Sequence, residues 1–455
     1  MFRRKANPEV PKPVELPPQR NEDQVPLKVA IIGCGQRGDR VYGEWFATNR
    51  DKGIVVAIAE PNATRREKTA LKHNLPANRV YVDWEDFVQA HDNEGSRIAD
   101  ALLVCTQDQT HVDIVEAGSK RGYDILCEKP LATEISEVVR IIKAVKDANV
   151  IFGVAHVLRY SPYTQGIQSL LKRGDLGSVV NVQHLEPIGN IHFSHSYVRG
   201  NWRNESTSSF TLLTKSCHDL DLLNLYFQGK RATKISSFGS LSYFRPENKP
   251  PKAGDSTRCW NCPAEKECTY SAKRIYCEPA SKGNFSFPVY VITDIENLAS
   301  VEHAVQTGPY GECVYNGTNN VIDSQIVSIE FEGGGTASFT MTAFTQILGQ
   351  RVTRINGTKG EITGDMHEFN HYAFDTRRNK KYCPLPANPS GHGGGDWGVI
   401  EAFVDAVRQR DQSLMGCTPD DVLESHLLVF AAEESRRKGV TVDVGEYRKA
   451  VGANL

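Results

Sequence analysis

The chain has 455 residues, 40% of them hydrophobic, with 53 Lys+Arg against 55 Asp+Glu and a formal net charge of −2. That balance supplies no basic footprint for nucleic acid and no polybasic face for an anionic membrane, so it points to a small-molecule or protein partner. No run approaches the roughly 18 consecutive apolar residues that a bilayer span needs.

Residues 1–27 open with Met-Phe-Arg-Arg-Lys and carry Pro8, Pro11, Pro13, Pro17, Pro18 and Pro26, with no apolar run between them. A secretory leader needs such a run, so the stretch reads as a disordered, Pro-rich tail and the chain as cytoplasmic. From residue 28 to 154 short β-branched runs alternate with helical segments. Val29–Ile32, Val55–Ala59, Ala101–Val104, Ile125–Cys127 and Val150–Val154 are the expected strands, with helices over Arg37–Asn49, Thr64–His73, Trp84–His91, Thr110–Arg121 and Glu134–Ala148. This tempo predicts a doubly wound parallel sheet covered on both faces.

A helix over Pro162–Arg173 follows, and then the texture changes. Ser178–Leu185, Lys234–Tyr243, Val289–Thr293, Ser328–Glu332, Gly335–Thr342 and Arg351–Asn356 alternate polar and apolar residues, as a large open mixed or antiparallel sheet requires. A Cys-rich insert over 246–283 has little periodicity, and helices are expected at Trp397–Gln409 and Pro419–Lys438. The fold class is therefore α/β, an N-terminal Rossmann-type domain over 28–154 followed by an α+β domain over 155–455 for substrate binding and oligomerisation.

A strand runs directly into Gly33-Cys-Gly35-Gln36-Arg37-Gly38 and then into a helix. In that setting the glycines serve a tight turn, close approach of backbone to a pyrophosphate, and packing of helix on strand. Glu60 ends the second strand about 20 residues on, where a carboxylate accepts hydrogen bonds from ribose hydroxyls. The pattern predicts a dinucleotide site and favours NAD over NADP, although Arg65 and Arg66 follow closely enough to leave NADP open. Cys105-Thr106-Gln-Asp-Gln-Thr-His111 and Cys127-Glu128-Lys129-Pro130 end the expected strands Ala101–Val104 and Ile125–Cys127. Carboxyl ends of parallel strands are where such a sheet places its ligand.

The Gly33–Gly38 turn, the Thr106–His111 loop, Glu128-Lys129-Pro130, His156-Val-Leu-Arg159-Tyr160-Ser-Pro162 and Lys215-Ser-Cys-His218-Asp-Leu-Asp221, in this order, resemble the glucose-fructose oxidoreductase / inositol dehydrogenase / rhizopine-catabolism family. The resemblance runs from about Lys28 to the last helices. It implies hydride transfer between a nicotinamide and a carbinol carbon of a sugar, polyol or cyclitol, with Lys129 and His218 as the catalytic pair and a homo-oligomer, dimer or tetramer. Gln36, Arg37, Thr106, His111, Glu128 and Lys129 join the glycines and Glu60 as expected cofactor contacts. Arg159, Tyr160, Lys215 and Asp221 are the expected substrate contacts. The residue types suit the chemistry, since an imidazole can take the hydroxyl proton and an ammonium can hold the developing alkoxide. One departure is Thr214, where many members of that family carry an acid four residues before the histidine.

His192–Arg203 and Gly391–Trp397 are further candidates for the cleft lining. Within the insert, Cys259, Cys262, Cys268 and Cys277 can hold Zn2+ as four thiolates. Cys313 is an alternative fourth ligand, and free thiols or a disulfide are the other readings. Competing functions are a redox-neutral enzyme that recycles tightly bound NAD (an epimerase, a glycoside-cleaving enzyme or a two-substrate oxidoreductase) and a non-catalytic dinucleotide sensor.

Overall fold

The computed structural model describes residues 25–346, 348–388 and 390–455. Positions 1–24, most of the expected tail, lie outside the described residues. Six strands, β1 (Leu27–Ile32), β2 (Gly53–Ala59), β3 (Val80–Tyr81), β4 (Ala101–Val104), β5 (Asp124–Cys127) and β6 (Phe152–Val154), form one sheet in the order β3-β2-β1-β4-β5-β6. All neighbours are parallel. The order reverses between β1 and β4, which opens a crevice at their carboxyl ends.

Both faces of this sheet are buried, and the side-chain alternation of β1 shows how. Ala30 and Ile32 point into a cluster with Val112, Val115 and Val138 from the crossover helices. Val29 and Ile31 point the other way, onto Trp45, Phe46 and the helix Gly395–Gln409 through Val399, Ile400 and Phe403. A helix from near the end of the chain thus covers the second face of the first sheet. Without it that face would expose a row of Val, Ile and Leu.

Nine strands make the second sheet: β7 (Val179–Pro187), β8 (Ala232–Ser240), β9 (Ser324–Phe331), β10 (Thr336–Thr342), β11 (Val352–Gly357), β12 (Gly360–Gly364), β13 (Phe369–Ala373), β14 (Arg378–Tyr382) and β15 (Val442–Asp443). They run in the order β14-β13-β12-β11-β7-β10-β9-β8-β15. Only β7 and β10 pair in parallel. One face packs on the helices Thr211–Tyr226 and Pro419–Lys438 through Leu212, Leu220, Leu223, Leu427 and Ala431. The second helix starts from a capping box at Thr418 and Asp421 and stops at Gly439 in the left-handed region.

Val289–Thr293, expected as a strand, is a helical turn over Val289–Ile292. Its β-branched run finds no sheet edge; Val289 is buried with Val301 and Val305 in the small core of the Cys-rich insert instead. The strands β12 to β14 went unpredicted because polar and glycine residues hide their alternation.

Histidines buried without charge set an acid limit on this fold. His426 lies on the second-sheet helix with its Nδ1–H on the Val422 carbonyl at 2.8 Å and its Nε2 accepting the Leu131 N–H at 3.2 Å. Only the neutral ring satisfies both. Burial, with the His156 ring beside it, pushes its pKa down to about 3, and burial with the Lys72 charge pushes His73 to about 4. The unfolded chain protonates these rings below about 6.5 whereas the native state does not, so stability is present above that value and is lost as pH falls towards about 4. We expect the melting temperature to begin falling near pH 6.5, before carboxylates titrate, and His426→Gln to flatten that slope. A melting temperature constant from pH 7.5 to 5 would contradict this account.

Candidate active site

The phosphate-facing turn is shaped by contacts that a side chain would destroy. Gly33 sits at φ +93°, and a Cβ there would lie 2.6 Å from the Cys105 carbonyl; a Cβ on Gly38 would lie 2.0 Å from the Gly33 carbonyl. Gly35 differs, because nothing stands within 4 Å of where its Cβ would be. That open ground beside free backbone N–H groups is the space a pyrophosphate needs. Glu60, only 5% exposed, accepts the Cys34 N–H at 2.7 Å and the Asn62 N–H at 2.9 Å, which fixes its carboxylate at the end of β2. These residues fit a dinucleotide.

Arg37, expected at the cofactor, is committed elsewhere. Its Nε donates to Glu128 at 2.6 Å, Nη1 to Asp396 at 3.0 Å and Nη2 to the Tyr42 hydroxyl at 2.8 Å. Glu128 also accepts from Tyr42 and from the Lys129 N–H. Burial works against the Glu128 charge, but Arg37 and Tyr42 outweigh it and hold this carboxyl below its ordinary range. Arg37 and Glu128 therefore form the floor of the site. His111 is fully buried as well, with Nδ1 3.0 Å from the Pro130 carbonyl and Nε2 3.4 Å from that of Thr106. It ties the β4 and β5 loops together instead of facing a cofactor. The Thr106 hydroxyl, at the end of β4, takes a hydrogen bond from Thr110, and Gln36 is exposed at the mouth of the turn.

Lys129 leaves the end of β5 and donates through Nζ to the Thr214 carbonyl at 2.9 Å. Thr214 precedes His218 by one turn of the helix Thr211–Tyr226, so Lys129 and His218 come to one helix face. The Trp202 ring lies 5.7 Å from Nζ, and its Nε1 donates to Asp108 at 3.3 Å. Asp108 is a buried carboxyl that sequence patterning missed; burial raises its pKa, with His111 and Lys129 opposing. Burial, then the Lys129 charge and the rings of His156 and His392, hold His218 well below the ordinary imidazole range. The base candidate is thus neutral at pH 7. His392, in the Gly391–Trp397 loop, holds its ring 6.0 Å from that of His218, tilted by 46°, and contacts Asp396 through Nδ1 at 2.9 Å.

Three expected substrate contacts turn inward. Arg159 and Asp221 form a two-bond ion pair, 2.6 Å on each arm, with side chains 5% and 1% exposed. Each satisfies the other, and neither offers a polar group to the cleft. The Tyr160 hydroxyl donates to the Met415 carbonyl at 2.8 Å within the core under the first sheet. Lys215 does stand near the cleft, where its Nζ reaches Glu186 at 3.1 Å; Glu186 continues to Arg351 at 2.9 Å and Arg351 to Asp219 at 2.6 Å. Burial lowers the Lys215 pKa against the pull of Glu186. No sequence signal placed Glu186, Arg351 and Asp219 together, because they come from β7, the end of the β10–β11 connection and a helix.

His195 and Arg199, weighed as cleft residues, face the Cys-rich insert, through Tyr276 and Cys259 respectively. The expected zinc ligands also need revision. Cys259, Cys262 and Cys268 line one cavity together with Cys313, while Cys277 lies outside that lining. Among the described residues no group of three or more His, Cys, Asp or Glu stands at metal-ligand spacing.

Comparison with known proteins follows the two-sheet division. A family model described as "Oxidoreductase family, NAD-binding Rossmann fold" matches residues 27–156, and its companion, "Oxidoreductase family, C-terminal alpha/beta domain", matches 168–444. The oxidoreductase YteT of Bacillus subtilis is 26% identical over 329 residues, 69% of this chain and 74% of its own length. Myo-inositol 2-dehydrogenase of Thermotoga maritima is 24% identical over 231 residues, 50% of this chain and 62% of its own. Among solved structures, levoglucosan dehydrogenase in complex with NADH and levoglucosan aligns with a TM-score of 0.66 at 17% identity, over 92% of this chain and all of the other. That last likeness is one of fold.

The inward turn of Asp221 has a measurable consequence. Asp221→Ala strands a buried Arg159 charge, which costs about 3–5 kcal/mol. We expect a matching fall in unfolding free energy from denaturant titration, with KM for the best substrate within about two-fold of wild type, since catalysis loses no direct contact. A large rise in KM at unchanged stability would return Asp221 to the substrate site.

Proposed function

Matches over residues 27–156 and 168–444 make the chain a member of the Gfo/Idh/MocA family of oxidoreductases, and on that premise we propose that it transfers hydride between the nicotinamide of NAD and a hydroxyl-bearing carbon of a sugar, polyol or cyclitol. The observation that carries this reading is the bond from Lys129 Nζ to Thr214, which sets an ammonium beside a neutral His218 at the carboxyl ends of β4 and β5. The names of the related myo-inositol and levoglucosan dehydrogenases support the substrate class.

An ammonium has three donors, and Thr214 takes one. The others can hold the substrate oxygen and stabilise the alkoxide that develops as the C–H bond breaks. His218 takes the hydroxyl proton, a role its depressed pKa keeps open at neutral pH. NAD, when bound, supplies the hydride acceptor. In the reverse direction His218 returns the proton. The Glu186, Lys215 and Arg351 network stands beside this pair and supplies charged groups already paired with one another, suited to recognising hydroxyls more than carboxylates.

Preference for NAD over NADP rests on the ribose end. Glu60 is fixed where a 2′-phosphate would meet a carboxylate, and both nearby arginines are occupied. Arg65 pairs with Asp294 at 3.1 Å, and Arg66 donates to the Glu60 and Pro61 carbonyls at 2.6 and 3.0 Å.

The open face of the second sheet suits association of two copies. Phe238, Ile326, Thr340, Leu185 and Val352 occupy directly paired positions on five successive strands, β8, β9, β10, β7 and β11. Phe238, Ile326 and Val352 are 71%, 49% and 51% exposed. An apolar row crossing an open sheet marks an interaction surface, and a second copy of the same row would cover it.

Lys129→Ala and His218→Ala should each lower kcat/KM on the best polyol by about 10²–10⁴ with NAD affinity little changed; wild-type turnover in Lys129→Ala would refute the assignment. Initial rates should favour NAD over NADP by at least about ten-fold, a margin of roughly 1.4 kcal/mol. Light scattering should find an oligomer for the wild type, and Phe238→Asp with Ile326→Asp should shift it to a smaller species. An unshifted mass would exclude this face as the interface.

A further inference from the structure

Against the Cys-rich insert lies a charge that nothing among the described residues balances. Arg199 is 1% exposed at the end of the helical segment Ser194–Arg199. Its Nε donates to the Glu312 carbonyl at 2.8 Å, and Nη2 to the Tyr270 carbonyl at 2.8 Å and to the Cys259 sulfur at 3.3 Å. Its Nη1 is buried with no hydrogen bond among the described residues, and the neighbouring Tyr276 hydroxyl carries no charge to answer it. The carboxylate of Glu312, whose carbonyl Arg199 already holds, is taken by Arg203 at 3.1 Å, and that of Glu265, in the lining of the adjoining cavity, accepts the Ser271 hydroxyl. Among the described residues no carboxylate pairs with Arg199. An isolated buried guanidinium is costly enough that a negative partner is required.

The cavity beside Arg199 is lined by Cys259, Cys262, Cys268 and Cys313. Local hydrogen bonds bring these four thiols there from three separate loops. An antiparallel bridge joins Arg258 to Glu312, with the Cys259 N–H on the Gly311 carbonyl and the Cys313 N–H on that of Thr257. Side chains alternate across such a pair, so Cys259 and Cys313 fall on the same face, opposite to Arg258 and Glu312. A turn closed by the Cys262 N–H on the Cys259 carbonyl brings the second thiol round, and a helical turn capped by the Cys268 N–H on Ala264 brings the third. Cys277 belongs to the next helical segment, packed with Val301 and Val305 away from the cavity.

We propose that Cys259, Cys262, Cys268 and Cys313 form a tetrathiolate site for one divalent cation of the zinc type, with Arg199 as its hydrogen-bonding counter-charge. Four thiolates around a dication carry a net charge of −2, which is what Arg199 lacks. Four neutral thiols or two disulfides carry none and would leave it unpaired. All eleven cysteines are free thiols, and the cavity, about 20 Å3, has room for an ion. The cysteine side chain has a single rotor, so binding draws the four sulfurs from the cavity wall to a common centre, with release of their protons. An N–H bond to a metal-bound sulfur is the outer contact such sites use to hold their ligands. The insert lacks a large core of its own, and a metal clip supplies the missing constraint.

The test uses the full chain purified without added zinc. Mass spectrometry of the metal content should find about one equivalent of zinc per chain, falling below about a tenth in Cys313→Ser and Cys259→Ser but retained in Cys277→Ser. Because a serine variant can fail to fold, the wild type is also exchanged with Co2+, where thiolate-to-cobalt charge-transfer absorption reports four sulfur ligands directly. Zinc below about a tenth of an equivalent in the wild type, no charge-transfer band with cobalt, iron in place of zinc, or disulfides recovered after denaturing alkylation would each overturn the proposal. So would loss of metal in Cys277→Ser with retention in Cys313→Ser.

Discussion

One guanidinium holds the cleft together. Arg37 binds Glu128 next to Lys129, Asp396 next to the His392 loop, and Tyr42 in its own helical segment. Two of the partners, Glu128 and Asp396, come from distant parts of the sequence, and both are carboxylates with side chains no more than 7% exposed. Separating the elements would leave those carboxylates buried and unpaired, a larger cost than the net gain of any one hydrogen bond. The positions of Lys129 and His392 around His218 are thus fixed by a pairing requirement and not by local backbone preference. The helix Gly395–Gln409, which begins beside Asp396, is also the helix that covers the second face of the parallel sheet. Closing the core and assembling the site are consequently one event.

The same dependence explains what the sequence reveals. The Gly33–Gly38 turn, Glu60 and the Glu128-Lys129-Pro130 strand end are legible because their structure is decided within a few residues by sterics and strand geometry. Arg37 lies inside that local motif and reads as a phosphate contact, yet its partner Asp396 is 359 positions away, and nothing local announces it. Arg159 and Asp221 follow the same rule. Each is a polar residue near the motif that defines the site, and only the fold shows that they neutralise one another. Val289–Thr293 failed differently, because a short β-branched run specifies burial better than it specifies a strand.

Polar groups in this protein sort by whether their charge is answered. The network of Lys215, Glu186, Arg351, Asp219 and His184 is answered internally and so contributes shape and fixed dipoles to the cleft without demanding a charged ligand. Glu128 is answered by Arg37. Among the described residues Lys129 forms no ion pair; its hydrogen bond goes to a backbone carbonyl and an aromatic face lies beside it, which leaves it donors to spare, and a substrate oxygen is what they can receive. Arg199 has the same unbalanced character but is sealed from solvent and from the cleft. The two cations differ in access, and access separates a catalytic role from a structural one.

Burial near Lys129 depresses His218, and burial elsewhere depresses His426 and His73. For His218 the effect is useful, since a neutral imidazole beside an ammonium is a base that stays available when the bulk solution would protonate a free histidine. For His426 it is a liability, because that ring holds the backbone just after Pro130 and can do so only while neutral. Leu131, which it anchors, follows Lys129 by two residues. Acid that protonates His426 therefore loosens the strand end that carries the ammonium. Low pH thus acts on the support beneath Lys129 as well as on the base itself.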